Sequence, residues 1–256
     1  MVEYIAFGLL CFVVAVAGGV AGLVLGNLRL PAAVSFADTA AAGGGANVAI
    51  SAVAAATAAI KHIREGRINW TMLWWLAPPS LVGGLVGGYL ATTVPENALL
   101  VFISTVLFYG AWELSQWQPA DKRPEPEAAT SGQQDFRLAT VTIGLVVGVL
   151  GGAVGLILGS LRFPALLRFT EESPQNLVGT NLAAGVVVGV AGAIGHLTAG
   201  SAGFDWQLFA VGAACSIPGA YLGAHLTGRL NTVTLVRTIA AIVLLAAIAM
   251  LAQVAF

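Results

Sequence analysis

Charge is what this chain has least of. Only 9% of its 256 residues are charged, against 58% hydrophobic, where a soluble domain carries about 25% charged residues. That deficit excludes a soluble globular protein and predicts an all-α integral membrane protein solvated by the lipid bilayer. Twelve acids and eleven bases nearly cancel, so there is no basic patch for nucleic acid. Cysteine is almost missing. Cys11 and Cys215 both lie in apolar segments and read as small packing residues, which excludes a disulfide framework. Also missing are an H-E-x-x-H helix, a paired-cysteine metal motif, a P-loop, a G-x-S-x-G elbow and the embedded acid pair of an aspartyl intramembrane protease. The chain is therefore read as a non-enzyme with no cofactor and no bound metal. No basic n-region precedes the first apolar stretch, so no cleavable signal peptide is expected.

A membrane helix needs about 20 mostly apolar residues. By that measure about eight long segments are predicted, at 4–26, 40–61, 71–93, 97–116, 137–159, 177–198, 206–227 and 232–255. The most polar stretch, 117–136, is rich in Pro, Glu, Gln and Ala and is predicted as a solvated linker. It divides the chain into a first transmembrane repeat at 1–116 and a second at 137–256.

The two halves are homologous. Residues 18–32 read GGVAGLVLGNLRLPA and residues 151–165 read GGAVGLILGSLRFPA. One offset superimposes Gly18, Gly19, Gly22, Gly26, Arg29 and Pro31 on Gly151, Gly152, Gly155, Gly159, Arg162 and Pro164. Further on, Gly45-Ala46-Asn47 matches Gly179-Thr180-Asn181, His62 matches His196, and Asn69-Trp70 matches Asp205-Trp206. Glycine- and proline-broken hydrophobic segments at matching places in two halves point to the substrate site of a secondary transporter. The glycines also fit small-xxx-small helix packing, and Asn27 or Ser160, the arginine and the proline tilt the reading toward a break. If both motif segments, 4–37 and 137–170, break and return to the side they entered, the halves become inverted repeats. Ten of the eleven basic residues then lie on or nearest the cytoplasmic side, as the positive-inside rule requires. Eight full crossings would split them 6 to 5, so the inverted arrangement is favoured.

Arg29 and Arg162 are the leading candidates for substrate binding. An arginine at the centre of a membrane helix costs about 2.5–3.5 kcal/mol on insertion scales, and its guanidinium offers five fixed donors to an oxyanion. The competing reading is that each snorkels to a headgroup from near a segment end. Asn27, Ser160, Asn47, Gly179, Thr180 and Asn181 are the candidate donors beside them. If a helix begins or breaks at Gly179-Thr180-Asn181 or Gly45-Ala46-Asn47, its N-terminal N–H groups face an anion; otherwise these are ordinary interhelical hydrogen bonds. His62 and His196 lie near span ends, where packing or a cap competes with a proton relay. Glu113 is the one acid inside an apolar run and reads as interfacial.

Taken together, these motifs resemble the TauE/SafE family of anion permeases, associated with sulfite, sulfonates and related sulfur compounds. The carrying features are GGVAGLVLGNLRLP, GGGAN and KHIREGRINW in the first half, and GGAVGLILGSLRFP, VGTN and GHLTAGSAGFDW in the second. The resemblance covers nearly the whole chain outside the linker. Spaced glycines, the two arginines, and Ala46 opposite Thr180 depart from the tighter glycine triplet of many members. The resemblance implies a multi-pass protein of the cell inner membrane that moves a small anion, sulfite or another sulfur oxyanion or sulfonate, by alternating access. An anion channel of the same architecture and a non-transporting membrane partner protein remain open as alternatives. A homodimer is the expected assembly only because twofold oligomers are the commonest.

Overall fold

The computed structural model describes residues 2–90, 96–117, 133–154, 157–170, 172–198 and 204–255. Among them are ten helices and no strand: α1 (Val2–Ala21), α2 (Gly26–Phe36), α3 (Ala40–Arg64), α4 (Trp70–Leu90), α5 (Glu96–Ser115), α6 (Gln133–Val154), α7 (Gly159–Phe169), α8 (Pro174–Thr198), α9 (Trp206–Thr227) and α10 (Thr232–Ala255). Ten replace the predicted eight because the first segment of each half is two helices. At 1.5 Å per residue the 11-residue α2 and α7 are about 16 Å long, roughly half a hydrocarbon core. Five helices among the described residues (α1, α3, α8, α9 and α10) are long and apolar enough to cross a bilayer. The chain is an all-helical, multi-pass membrane protein. Helix α6 starts inside the expected linker, at Gln133, and residues 118–132 lie outside the described residues.

The repeated Asn/Asp-Trp pairs turn out to be helix starts. The Asp205 carboxylate accepts from the N–H groups of Gln207 and Leu208, both at 2.9 Å, and the Asn69 side-chain Oδ1 accepts from the Met72 N–H at 2.9 Å. Each satisfies donors that the first turn cannot. The Thr39 hydroxyl does the same for α3, accepting from Ala42 N–H at 3.1 Å. Lys61 and Arg64 close α3, where the helix dipole favours cations.

Contacts fix how the helices run. At one end, the Tyr4 hydroxyl donates to Gln207 Oε1 at 3.0 Å, the Asp205 N–H to the Ala42 carbonyl at 3.3 Å, and the Phe7 and Phe36 rings stand 6.1 Å apart. The starts of α1, α3 and α9 therefore meet the finish of α2. At the opposite end, Arg137 lies over the Trp75 ring at 5.0 Å, Asn69 donates to Glu172, and Gln175 donates to Thr232 at 3.1 Å. There the starts of α4, α6, α8 and α10 gather. Lys61, Arg64, Arg67, Arg137, Arg168, Arg229 and Arg237 all belong to this Trp75 end.

Each half lends its first long helix to the other. Along α1 and α9, Gly8 meets Cys215, Phe12 meets Gly219 and Val16 meets Gly223, so the two run in the same direction; a Cβ on Gly223 would stand 2.3 Å from the Val16 carbonyl. Along α4 and α6, Leu76 meets Gly144 and Ser80 meets Gly148, again in one direction. Glycine permits both close approaches, and dispersion rather than the hydrophobic effect holds such pairs in lipid. Helices α3 and α8 instead run in opposite directions, because Val48, Ala52 and Ala55 meet Gly192, Gly189 and Gly185 in turn.

Candidate functional site

The two broken segments meet in the interior. Helix α1 ends at Ala21, residues 22–25 lack helix, and α2 begins at Gly26. The turn needs Gly22, whose φ of +69° is left-handed and whose added Cβ would stand 2.5 Å from the Val178 backbone. The Leu23 N–H reaches back to the Gly18 carbonyl at 2.9 Å. Gly18 and Gly19 thus lie within α1, and Gly151 and Gly152 within α6, while Gly26 and Gly159 are the first residues of α2 and α7. Pro31 and Pro164 sit inside those short helices, and supply no N–H to the carbonyls four residues back. Gly155 lies outside the described residues.

Arg29 and Arg162 occupy the same place, the fourth residue of α2 and of α7, and each is only 2% exposed. Arg29 Nε donates to Asn47 Oδ1 at 2.9 Å, and its NH2 to the Asn47 carbonyl at 3.0 Å and Ser51 Oγ at 2.7 Å. Arg162 Nε donates to Asn181 Oδ1 at 2.6 Å, while its buried NH2 has no partner. Asn181 in turn donates from Nδ2 to the Gly22 carbonyl at 2.6 Å and the Gly159 carbonyl at 3.0 Å. One amide therefore holds the break of the first half, the start of the second half's short helix and a guanidinium. Neither arginine belongs to an ion pair among the described residues. These two buried cations thus rest on neutral dipoles alone, an arrangement that a nearby anion would stabilise.

A cavity with about 20 Å³ of room opens beside Arg29, lined also by Ser51, Gly18, Gly26 and Leu182. That space suits roughly one water. A larger anion would require the 22–25 turn to shift.

The remaining candidates are dispersed. Asn27 and Ser160 are buried at the starts of α2 and α7, near the arginines in sequence and depth. No helix starts or breaks at Gly45-Ala46-Asn47 or Gly179-Thr180-Asn181: α3 and α8 begin several residues earlier, at Ala40 and Pro174. The expectation of free helix-start N–H groups there is corrected, because proline at the first helical position already starts α8. The Thr180 hydroxyl faces away from the arginines and accepts from the Asn69 N–H at 2.9 Å. Gly179 gives room to the Arg67 carbonyl, which would stand 2.0 Å from an added Cβ. His62 is fully buried with neither ring nitrogen hydrogen-bonded, so no neighbour within bonding distance completes a proton relay. The side chain of His196 lies outside the described residues. Glu113 pairs with Arg168 at 3.2 Å, close to where α5 finishes.

Ser51 is the residue that sequence reasoning missed. Its signal was spacing: it stands four residues after Asn47, on the same helical face. Its counterpart in the second half is Gly185, which has no hydroxyl to offer Arg162.

Comparison with known proteins agrees with this picture. The profile of a family described as sulfite exporter TauE/SafE matches residues 7–250. Three similar proteins of Bacillus subtilis (strain 168) are described as probable membrane transporter proteins. YdhB is 29% identical over 196 residues, covering 75% of this chain and 76% of the relative. YunE is 24% identical over 173 residues, covering 62% and 60%, and YjnA 27% over 158 residues, covering 61% and 55%. No solved structure matches the chain.

Proposed function

This chain belongs to the sulfite exporter TauE/SafE family of membrane transporters, and on that premise we propose that it carries sulfite or a closely related sulfur oxyanion or sulfonate by alternating access. The observation that carries the proposal is the pair of buried guanidiniums without a carboxylate, placed where the two broken segments meet. A fixed cation of this kind becomes cheap to bury only when an anion visits it, and guanidinium donors match oxyanion geometry. Arg162 is assigned as the direct contact, through the NH2 that no protein group satisfies. Arg29, bonded three ways, supplies positive field and holds the first half's site in shape. The starts of α2 and α7 aim helix dipoles at the same place.

Residues 1–116 and 137–256 are read as inverted repeats joined by the 117–136 linker. The antiparallel α3 and α8, and the exchange that seats α1 on α9 and α6 on α4, support that reading. The Trp75 end is assigned to the cytoplasm of a bacterial-type inner membrane, since the basic residues outside the buried pair gather there among the described residues. Access then alternates by rocking one repeat against the other, with the 22–25 turn and the Asn181 bridge releasing one side at a time.

Sulfite counterflow in proteoliposomes tests the proposal. The expected result is saturable uptake of labelled sulfite driven by unlabelled sulfite inside. Failure to move sulfite, thiosulfate or a small sulfonate would overturn the substrate assignment. Linear, voltage-driven current without counterflow would turn the carrier into an anion channel.

A further inference from the structure

Seven basic side chains sit at the Trp75 end, and Arg67 differs from its neighbours. Its side chain is 11% exposed, and its Nε and NH1 are buried without hydrogen-bond partners. Its NH2 alone is engaged, by Glu65 and by the Ala224 carbonyl at 3.3 Å. His62 lies one tight turn earlier: the Arg67 N–H donates to the His62 carbonyl at 2.9 Å. Both His62 ring nitrogens are buried and unpartnered. Two adjacent side chains thus hold several unused donors in a region where protein has displaced water, an expensive arrangement unless something accepts from them.

Position says what that something is. Arg67 abuts Gly179 on α8, Ala224 on α9 and Gly228 just after α9. One turn deeper along the same two helices are Leu182 and Ala220, which line the cavity beside Arg29. Arg67 therefore stands about one helical turn, some 5.4 Å, on the Trp75 side of the residues that line the cavity. Nothing in the repeat demands it there. The matching stretch of the second half, Ser201-Ala202-Gly203-Phe204, has no basic residue.

We infer that Arg67, with His62 as a neutral second donor, forms a separate anion site at the cytoplasmic mouth of the pathway, which receives the oxyanion before or after the central arginines. This rests on the function proposed above and on the orientation given there. Two anion sites in series permit a multi-step passage in which no single site has to bind tightly. The competing role for Arg67 is a cap on the carbonyls that end α9, and that role predicts a loss of stability with no difference between the two faces.

The test uses the full chain in proteoliposomes of one orientation, selected through an affinity tag, with labelled sulfite presented to either face. Arg67→Gln is expected to raise the half-saturating sulfite about tenfold at the cytoplasmic face and to leave the opposite face within about twofold. His62→Gln should shift the same face by about threefold, and Arg67→Lys should restore part of the loss. Equal changes at both faces, or no change in a variant that keeps its melting temperature, would overturn the inference. If Arg67→Gln does not fold, His62→Gln decides in the same way. A wild-type protein that moves no sulfite overturns the proposed function itself, and this site with it, which separates the two failures.

Discussion

Arg29 and Arg162 stand at the same register of the same repeated motif, equally buried, yet they keep different company. Arg29 is held through Nε and NH2 by an asparagine and a serine; Arg162 is held through Nε alone and leaves its NH2 open. Part of the difference is one side chain on the supporting helix, Ser51 in α3 against Gly185 in α8; the rest is the bond from the Arg29 NH2 to the Asn47 carbonyl, which has no equivalent at Arg162. A duplicated motif therefore need not give duplicated chemistry. One copy is bonded through two of its guanidinium nitrogens, and the other leaves a buried NH2 unbonded, the donor that the proposed function gives to a ligand.

The comparison breaks most directly in transport. Arg162→Gln is expected to lower sulfite flux at least about a hundredfold, equivalent to roughly 2.7 kcal/mol, with little change in melting temperature. A larger flux loss in Arg29→Gln measured in the same proteoliposomes would reverse the assignment. Next in size is the stability of the first copy. Arg29→Gln strands Asn47 and Ser51 and should destabilise the protein by about 2 kcal/mol, more than Arg162→Gln, when both are followed by thermal unfolding. Smallest is Ser51→Ala, which makes the first copy resemble the second. It should cost only about 0.6–1 kcal/mol, in keeping with single interhelical hydrogen bonds in membranes, and leave flux close to wild type.

Much of this site was legible before any coordinates. The paired glycine segments predict the broken helices, and the matched arginines and asparagines predict the residues that meet. What could not be read is which groups already have partners. Thr180 looked like a ligand donor by its place in the repeat, and its hydroxyl oxygen accepts from the N–H of Asn69, more than a hundred residues away in the chain. Asn181 looked like a helix start, whereas it lies inside α8 and makes three long-range bonds from there. Gly179 looked like a backbone opening and is a contact point for the Arg67 turn. The eight expected segments become ten helices because each glycine-broken first segment counts as two, the break in the first half falling at Gly22. Periodicity and composition report what a residue is suited to, and long-range pairing decides how it is used.

The seating of α1 on α9 also bears on how the protein is made. Gly8 packs against Cys215, a partner that emerges from the ribosome some two hundred residues later. At about 5–20 residues per second, that delay is roughly 10–40 s. Throughout it the glycine face of the first helix meets lipid where the ninth helix will later pack.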